Sequence, residues 1–149
     1  MTILAKNKKG LFDYELLEKF EAGISLTGQE AKSIKVKGLS LAGSYVVIKN
    51  GEAFWIGAKI SPYQAKNTPK DYNPERSRRL LLKKSEIRYL LGKTKQKGLT
   101  LLPIKLYTKG RKIKMEFALA RGRKKADKKE LIKKREIEKE IQRELKKYR

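Results

Sequence analysis

The 149-residue chain contains no cysteine and no histidine. Without cysteine there is no disulfide framework and no thiolate metal site, which agrees with a reducing compartment. Without histidine the commonest general base, the usual zinc ligand and every Ser–His or Cys–His nucleophile pair are missing. Catalysis would have to rest on carboxylates, Lys or Tyr. No apolar run reaches the roughly 18 residues of a membrane span, and the N-terminus lacks a signal-peptide core, so a cytoplasmic protein without a membrane partner is expected. Negative charge is also scarce. Against 16 Asp+Glu stand 39 Lys+Arg, a formal charge of +23, which implies an extended polyanionic partner, nucleic acid first among them. The length fits one domain with an appendage.

The stretch that organises the chain is Glu21–Lys35. Thr27 followed by Glu30 is the side-chain pair of a capping box, so a helix starts there, and Lys37-Gly38 ends it. Before it, Tyr14 to Leu26 reads as a bent strand. After it, two apolar runs flank Asn50-Gly51, a dipeptide suited to a type I′ hairpin turn. Residues 61–75 carry three prolines and form a loop. Leu80 to Leu82 is a short apolar element, and Ser85 is the expected N-cap of a helix that Gly98 stops. Leu99 to Tyr107 and Lys112 to Ala120 alternate as strands joined at Lys109-Gly110, and Pro103 demands an edge or a bulge. About five strands with interposed helices predict a mainly β protein: a small closed antiparallel OB-like barrel with two or three short helices. Trp55 and Phe54 should face opposite sides of their strand.

Three segments are expected: a mobile basic arm at 1–12, the barrel at 13–121, and a basic tail at 122–149. From Arg121 onward there are 14 Lys+Arg against six Asp+Glu, and Ile137, Ile141 and Leu145 repeat at four-residue spacing. So narrow a stripe buries little, which predicts a tail that is disordered when free and helical on a partner.

Arg76, Arg78 and Arg79 beside Leu80–Leu82, then Lys83 and Lys84, form a basic cluster on an apolar anchor. A solvated charge run explains it as readily as phosphate contact, but the overall charge favours phosphate. Tyr14 is one candidate for stacking on bases, alongside Tyr45, Tyr63, Tyr72 and Tyr89. Gly92-Lys93-Thr94 lacks the first glycine of a phosphate loop. Asp13, Glu15, Glu18, Glu21 and Glu30 are numerous enough for a metal-dependent nuclease, yet in so basic a chain an acid more often pairs with a cation. Glu21 can also accept from base amino groups.

The run E-A-G-I-x-L-x-G-x-E-x-K-S-I-K at 21–35 resembles the signature of the small protein B (SmpB, SsrA-binding protein) family. Further matches follow in order: Ser44-Tyr45, Gly51-Glu52-Ala53, Pro62-Tyr63, Asn73-Pro74-x-Arg76-x-Arg78-Arg79-Leu80-Leu81-Leu82, Lys97-Gly98-x-Thr100 and Gly122-x-Lys124-x-x-Asp127-Lys128. The resemblance implies an OB-type barrel without cofactor or metal, binding transfer-messenger RNA. It also implies partnership with the ribosome, and with an elongation factor through the RNA, by a monomer. Implied RNA contacts are Glu21, Lys35, Leu81 and Lys83, with Tyr14 nearby; Lys32, Arg76, Arg78 and Arg79 join them as RNA-binding candidates on charge. Implied ribosome-binding positions in the tail are Gly122, Lys124, Asp127, Lys128, Lys129, Lys133 and Arg135, with the neighbouring Lys125 and Lys134 as further candidates. Lys83 and Tyr72 depart from the family's usual His or Asn and His, and Lys offers neither an acceptor nor a planar fork. A structural ribosomal protein shares the charge and the tail; a carboxylate-metal nuclease ranks below both.

Overall fold

A computed structural model describes residues 1–64, 66, 68–123 and 125–147. In chain order the elements are β1 (Ile3–Lys6), α1 (Lys8–Asp13), β2 (Tyr14–Ile24), α2 (Gly28–Lys37), β3 (Tyr45–Lys49), β4 (Glu52–Ile56), β5 (Arg78–Leu81), α3 (Lys84–Thr94), β6 (Leu99–Lys109), β7 (Lys112–Gly122) and α4 (Lys125–Lys147). The strands pair in the order β1-β6-β3-β4-β5-β2-β7, and β7 returns to β6. Every pairing is antiparallel. Six strands therefore close a ring, and β1 adds to β6 outside it. The expected OB-like barrel is present, with seven strands in place of five and four helices among the described residues.

Local chemistry sets the corners. Asn50 and Gly51 both take positive φ, 53° and 73°, as the β3–β4 turn requires. Pro103, which cannot donate to a ladder, coincides with a register shift between Pro103 and Lys105 in β6, the bulge that the sequence demands. The β2–β7 ladder shifts between Leu16 and Glu18, which bends β2.

The barrel interior holds Trp55, Phe117, Leu80, Leu101, Leu106 and Met115, closed by Ile34 of α2 and Leu90 of α3. Trp55 is fully buried while Phe54, its neighbour, faces outward. On β7, Ile113, Met115, Phe117 and Leu119 are buried as the alternation predicts, but so are Ala118 and Ala120. These two alanines join Leu102 and Ile104 in a second apolar cluster, covered by Leu11, Tyr14, Leu16 and Tyr45.

That second cluster corrects the reading of residues 1–12 as a mobile arm. Asn7 is 2% exposed; its amide donates to Ile104 O at 2.8 Å, its Nδ2 to Pro103 O at 2.8 Å, and its Oδ1 accepts from Gly10 N at 2.9 Å. One polar side chain thus ties the segment to the β6 bulge and caps α1. Gly10 packs so closely that a Cβ there would sit 2.6 Å from Asn7 Nδ2.

A second correction concerns α3, whose N-cap is Lys83 rather than Ser85. Glu86 accepts from Lys83 N at 3.2 Å and so satisfies an amide at the helix start. The tail, expected to be helical on a partner, forms the last element. Lys125–Lys147 is a continuous helix, consistent with Glu-to-Lys spacings and the lack of Gly or Pro after Gly122. Its isoleucines are not buried on the barrel: Ile137 and Ile141 are 57% and 52% exposed. No helix among the described residues is long and apolar enough to cross a membrane.

Candidate nucleic-acid interface

Glu30 organises the site. Its N–H donates to Thr27 Oγ1 at 3.2 Å and its Oε1 accepts from Thr27 N at 3.0 Å, closing the capping box. The same carboxylate takes Arg76 Nη2 on Oε1 at 2.5 Å, and Arg78 Nε and Nη2 on Oε2 at 2.9 and 2.7 Å. Burial pushes the Glu30 carboxyl up, but the Thr27 amide and the two guanidiniums outweigh it and hold the group below its ordinary 4.5. The start of α2 is thereby fixed against β5.

Arg78 is consequently not a surface cation. It is fully buried, and its remaining donors reach Ala58 O and Pro74 O, both at 2.9 Å. Strand alternation accounts for the correction: Arg78 and Leu80 point inward, Arg79 and Leu81 outward. Arg76 stays partly exposed beside Glu30, and exposed Arg79 lies 3.5 Å from Glu52.

Between α2, β5 and the β6–β7 hairpin runs a groove of about 370 Å³. Its apolar floor is Ile24, Leu26, Ala31 and Leu81, and its rim is Lys35, Arg111, Lys112 and Lys114. Leu81, 55% exposed, lies against Gly23. A wall of hydrocarbon edged by four cations can take stacked or splayed bases while holding phosphates. Lys83 is exposed just beyond β5, and Lys32, on α2, sits 5.9 Å from the Tyr63 ring centre.

Glu21 lies on the outer face of β2, where Tyr107 Oη donates to it and Lys109 Nζ approaches to 3.3 Å. The Tyr107 hydroxyl lowers its carboxyl most; burial opposes this, and the contacts with Lys109 and the Lys114 charge tip the balance below the ordinary value. Burial and the same contact push the Tyr107 hydroxyl up. Glu21 is therefore an ionised acceptor beside the groove's hairpin. Tyr14 stands at the opposite end of β2, its hydroxyl 3.4 Å from that of Tyr45, which with burial raises it to about 12.

The structure thus gathers Lys35 and Leu81 in one groove, leaves Lys32, Arg76, Arg79 and Lys83 exposed nearby, sets Tyr14 apart and withdraws Arg78. Sequence reasoning missed Arg111, Lys112 and Lys114; the outward alternation of Lys112 and Lys114 on β7 was visible, but not that this hairpin, with Arg111 in its turn, meets α2. Tyr72 is structural, donating to Ile60 O at 2.7 Å. Glu18 accepts from Tyr89, and Asp13 pairs with Lys128 at 3.2 Å. Among the described residues no three acidic side chains gather where they could hold a metal ion.

In the tail, Gly122 pairs with Tyr14, and Lys128, Leu131 and Arg135 line one face of α4 toward α1 and β2. Arg135 sits 5.6 Å from the Phe12 ring centre. Lys129, Lys133 and Lys134 are exposed. Lys124 lies outside the described residues, and Lys125 and Asp127 are described only as backbone of α4.

Ring, groove and cationic extension together define the chain as a basic barrel protein of the OB-like kind. Comparison then gives the particular family, because the family described as SmpB protein matches residues 4–147. The chain belongs to the SmpB family. It is 48% identical to the SsrA-binding protein of Thermosipho melanesiensis over 98% of this chain and 99% of that one, and 44% identical to that of Gloeothece citriformis over 98% and 94%. A chain in the solved structure "tmRNA-SmpB: a journey to the center of the bacterial ribosome" superposes with a TM-score of 0.68 at 40% identity, covering 89% of this chain and 95% of that one.

Proposed function

We propose that this chain is a cytoplasmic, non-catalytic RNA-binding adaptor that holds the tRNA-like domain of transfer-messenger RNA and delivers it to stalled ribosomes for trans-translation. Family membership over residues 4–147 carries the reading. The groove supports it with named groups. Lys35, Arg111, Lys112 and Lys114 are placed to exchange counterions for phosphates, and Leu81 offers an apolar surface to a base. Glu21 supplies the acceptor, while Lys32, Arg76, Arg79 and Lys83 widen the cationic field. Arg78 acts at one remove, by fixing α2 against β5.

The tail, with Lys124, Lys125, Asp127, Lys128, Lys129, Lys133, Lys134 and Arg135, engages the decoding centre and the empty message channel. An amphipathic helix whose apolar stripe stays exposed gains most of its stability on such a partner. The protein works as a monomer and meets an elongation factor through the RNA.

Gel shifts test the barrel's part: tight binding of the tRNA-like domain over generic duplex RNA is expected, and equal affinity for both refutes it. Deleting 122–149 should keep that affinity and abolish tagging of stalled products in reconstituted translation. Tagging by the truncated protein would refute the assignment of the tail.

A further inference from the structure

On the outer face of the sheet β7 lies between β2 and β6, and one side chain crosses it. Glu21 of β2 stands opposite Glu116 of β7, while Tyr107 of β6 stands opposite Lys114. Two strand spacings, about 10 Å, therefore separate the backbones of Glu21 and Tyr107. Tyr107 spans them, and its hydroxyl donates to Glu21 Oε2. The ring is held on the way: Tyr107 is 4% exposed, and Lys105 Nζ sits 5.6 Å from the ring centre. Lys105 is itself paired with Glu116 at 3.2 Å, which Lys19 of β2 approaches to 3.7 Å.

That reach constrains an otherwise exposed carboxylate. The Glu21 side chain is 41% exposed, yet Oε2 takes the Tyr107 hydroxyl and Oε1 lies 3.3 Å from Lys109 Nζ. A carboxylate offers roughly four acceptor sites, so about two stay open to a ligand. Phosphate is not that ligand, because a carboxylate repels it. Amino groups on the edges of unpaired bases are donors of the right kind, and carboxylates accept from cytosine N4 in this way. A free surface glutamate surrenders rotamer freedom when it binds; a tethered one has surrendered it beforehand. The Tyr107 contact is also the largest single influence lowering the Glu21 carboxyl, against burial and ahead of Lys109 and Lys114.

From this geometry we infer that Tyr107 is a positioning residue for RNA recognition: spanning β7, its hydroxyl orients the Glu21 carboxylate toward the amino edge of an unpaired cytosine or guanine. The inference deepens the RNA-binding reading and rests on it. Tyr107 touches no RNA itself. Its effect on affinity passes through Glu21, and that dependence separates positioning from both direct contact and mere packing.

Two measurements on full-length protein test it. The first follows the Glu21 carboxyl carbon by NMR as pH is varied, without RNA: Tyr107→Phe, which removes only the hydroxyl, should move its titration upward toward the ordinary 4.5. The second is a gel shift with the tRNA-like domain over a range of salt. Tyr107→Phe should weaken binding about fivefold with an unchanged salt slope, since no phosphate contact is lost. Glu21→Gln should weaken it at least as much, and in that background Tyr107→Phe should change nothing more. Losses that multiply in the double variant would overturn the positioning role, because Tyr107 would then act without Glu21. A Glu21 titration unmoved by Tyr107→Phe, or RNA affinity equal to wild type, would overturn it as well. Wild-type protein that bound the tRNA-like domain no better than generic duplex RNA would refute the adaptor reading instead, whereas the carboxyl titration judges the Tyr107–Glu21 coupling without any RNA present.

Discussion

Replacing Glu30 by Gln tests whether the buried ion pair organises the site. Gln keeps the side chain's length and one acceptor oxygen, so the capping contact to Thr27 can survive. The other carboxylate oxygen becomes an amide nitrogen, a donor set against the donors of Arg78 or Arg76. Arg78 is fully buried and retains only the Ala58 and Pro74 carbonyls, so its charge loses its counterion with no water to replace it. Breaking a buried pair from one side costs about 3–5 kcal/mol, a large share of the roughly 5–15 kcal/mol that holds a domain together. Urea unfolding followed through Trp55, the single and fully buried tryptophan, reads this directly. With a slope of about 2 kcal/mol/M, the midpoint should fall by roughly 2 M. The Arg76→Gln control should cost about 0–1 kcal/mol, because Arg76 is 41% exposed. Pairing Glu30→Gln with Arg78→Met should recover part of the loss, since the orphaned charge goes with it. Acid gives an independent reading. A carboxyl held below its ordinary 4.5 contributes stability that is complete above that value and is lost as pH falls through the folded value. The wild-type protein should therefore weaken on acidification below 4.5 more steeply than Glu30→Gln. A midpoint shift under 0.5 M, or identical acid profiles, would refute the reasoning.

Gly10→Ala should destabilise by about 1–3 kcal/mol, since the new methyl meets Asn7 and Leu102 within 2.9 Å; a thermal melt equal to wild type would mean residues 1–12 do not pack as described. Lys112→Ala and Lys114→Ala should each lower the dependence of log affinity for the tRNA-like domain on log salt by about one, and an unchanged slope removes that residue from the interface. Trp55→Phe should cost little for so large a core residue, about 1 kcal/mol by urea unfolding, because Trp55 Nε1 is buried without a partner among the described residues and its removal returns a penalty of about 1–3 kcal/mol. A loss above 3 kcal/mol would show that packing dominates. Spectrophotometric titration should show one tyrosine ionising near 12, lost in Tyr14→Phe. Its stabilising effect is complete below the ordinary 10.0 and fades as pH rises toward 12.

Where local chemistry decides the conformation, the sequence was readable. Thr27–Glu30, Asn50-Gly51 and the alternation on β7 each report a turn, a cap or a face within a few residues, and all three are found. What escaped depends on partners far along the chain. Arg78 stands 48 residues from Glu30, and nothing in Arg76–Leu82 distinguishes a cation turned inward from its outward neighbours. Glu30 announces its capping role but not its second one. Residues 1–12 read as a charged arm because the feature that pins them is one asparagine among lysines, whose acceptors lie in β6. The groove was half legible for the same reason: Lys35 and Leu81 carry family spacing, while the hairpin that completes the rim meets α2 only in three dimensions.

The return of β7 to β6 leaves β1, four residues long, as the one described strand with a neighbour on a single side. A chain this cationic crowds onto long anionic molecules, where copies collide at high local concentration and any open ladder would invite intermolecular zippering. Ring closure removes that hazard from the architecture itself, so crowded copies can stay separate without relying on mutual repulsion, which bound polyanion would cancel.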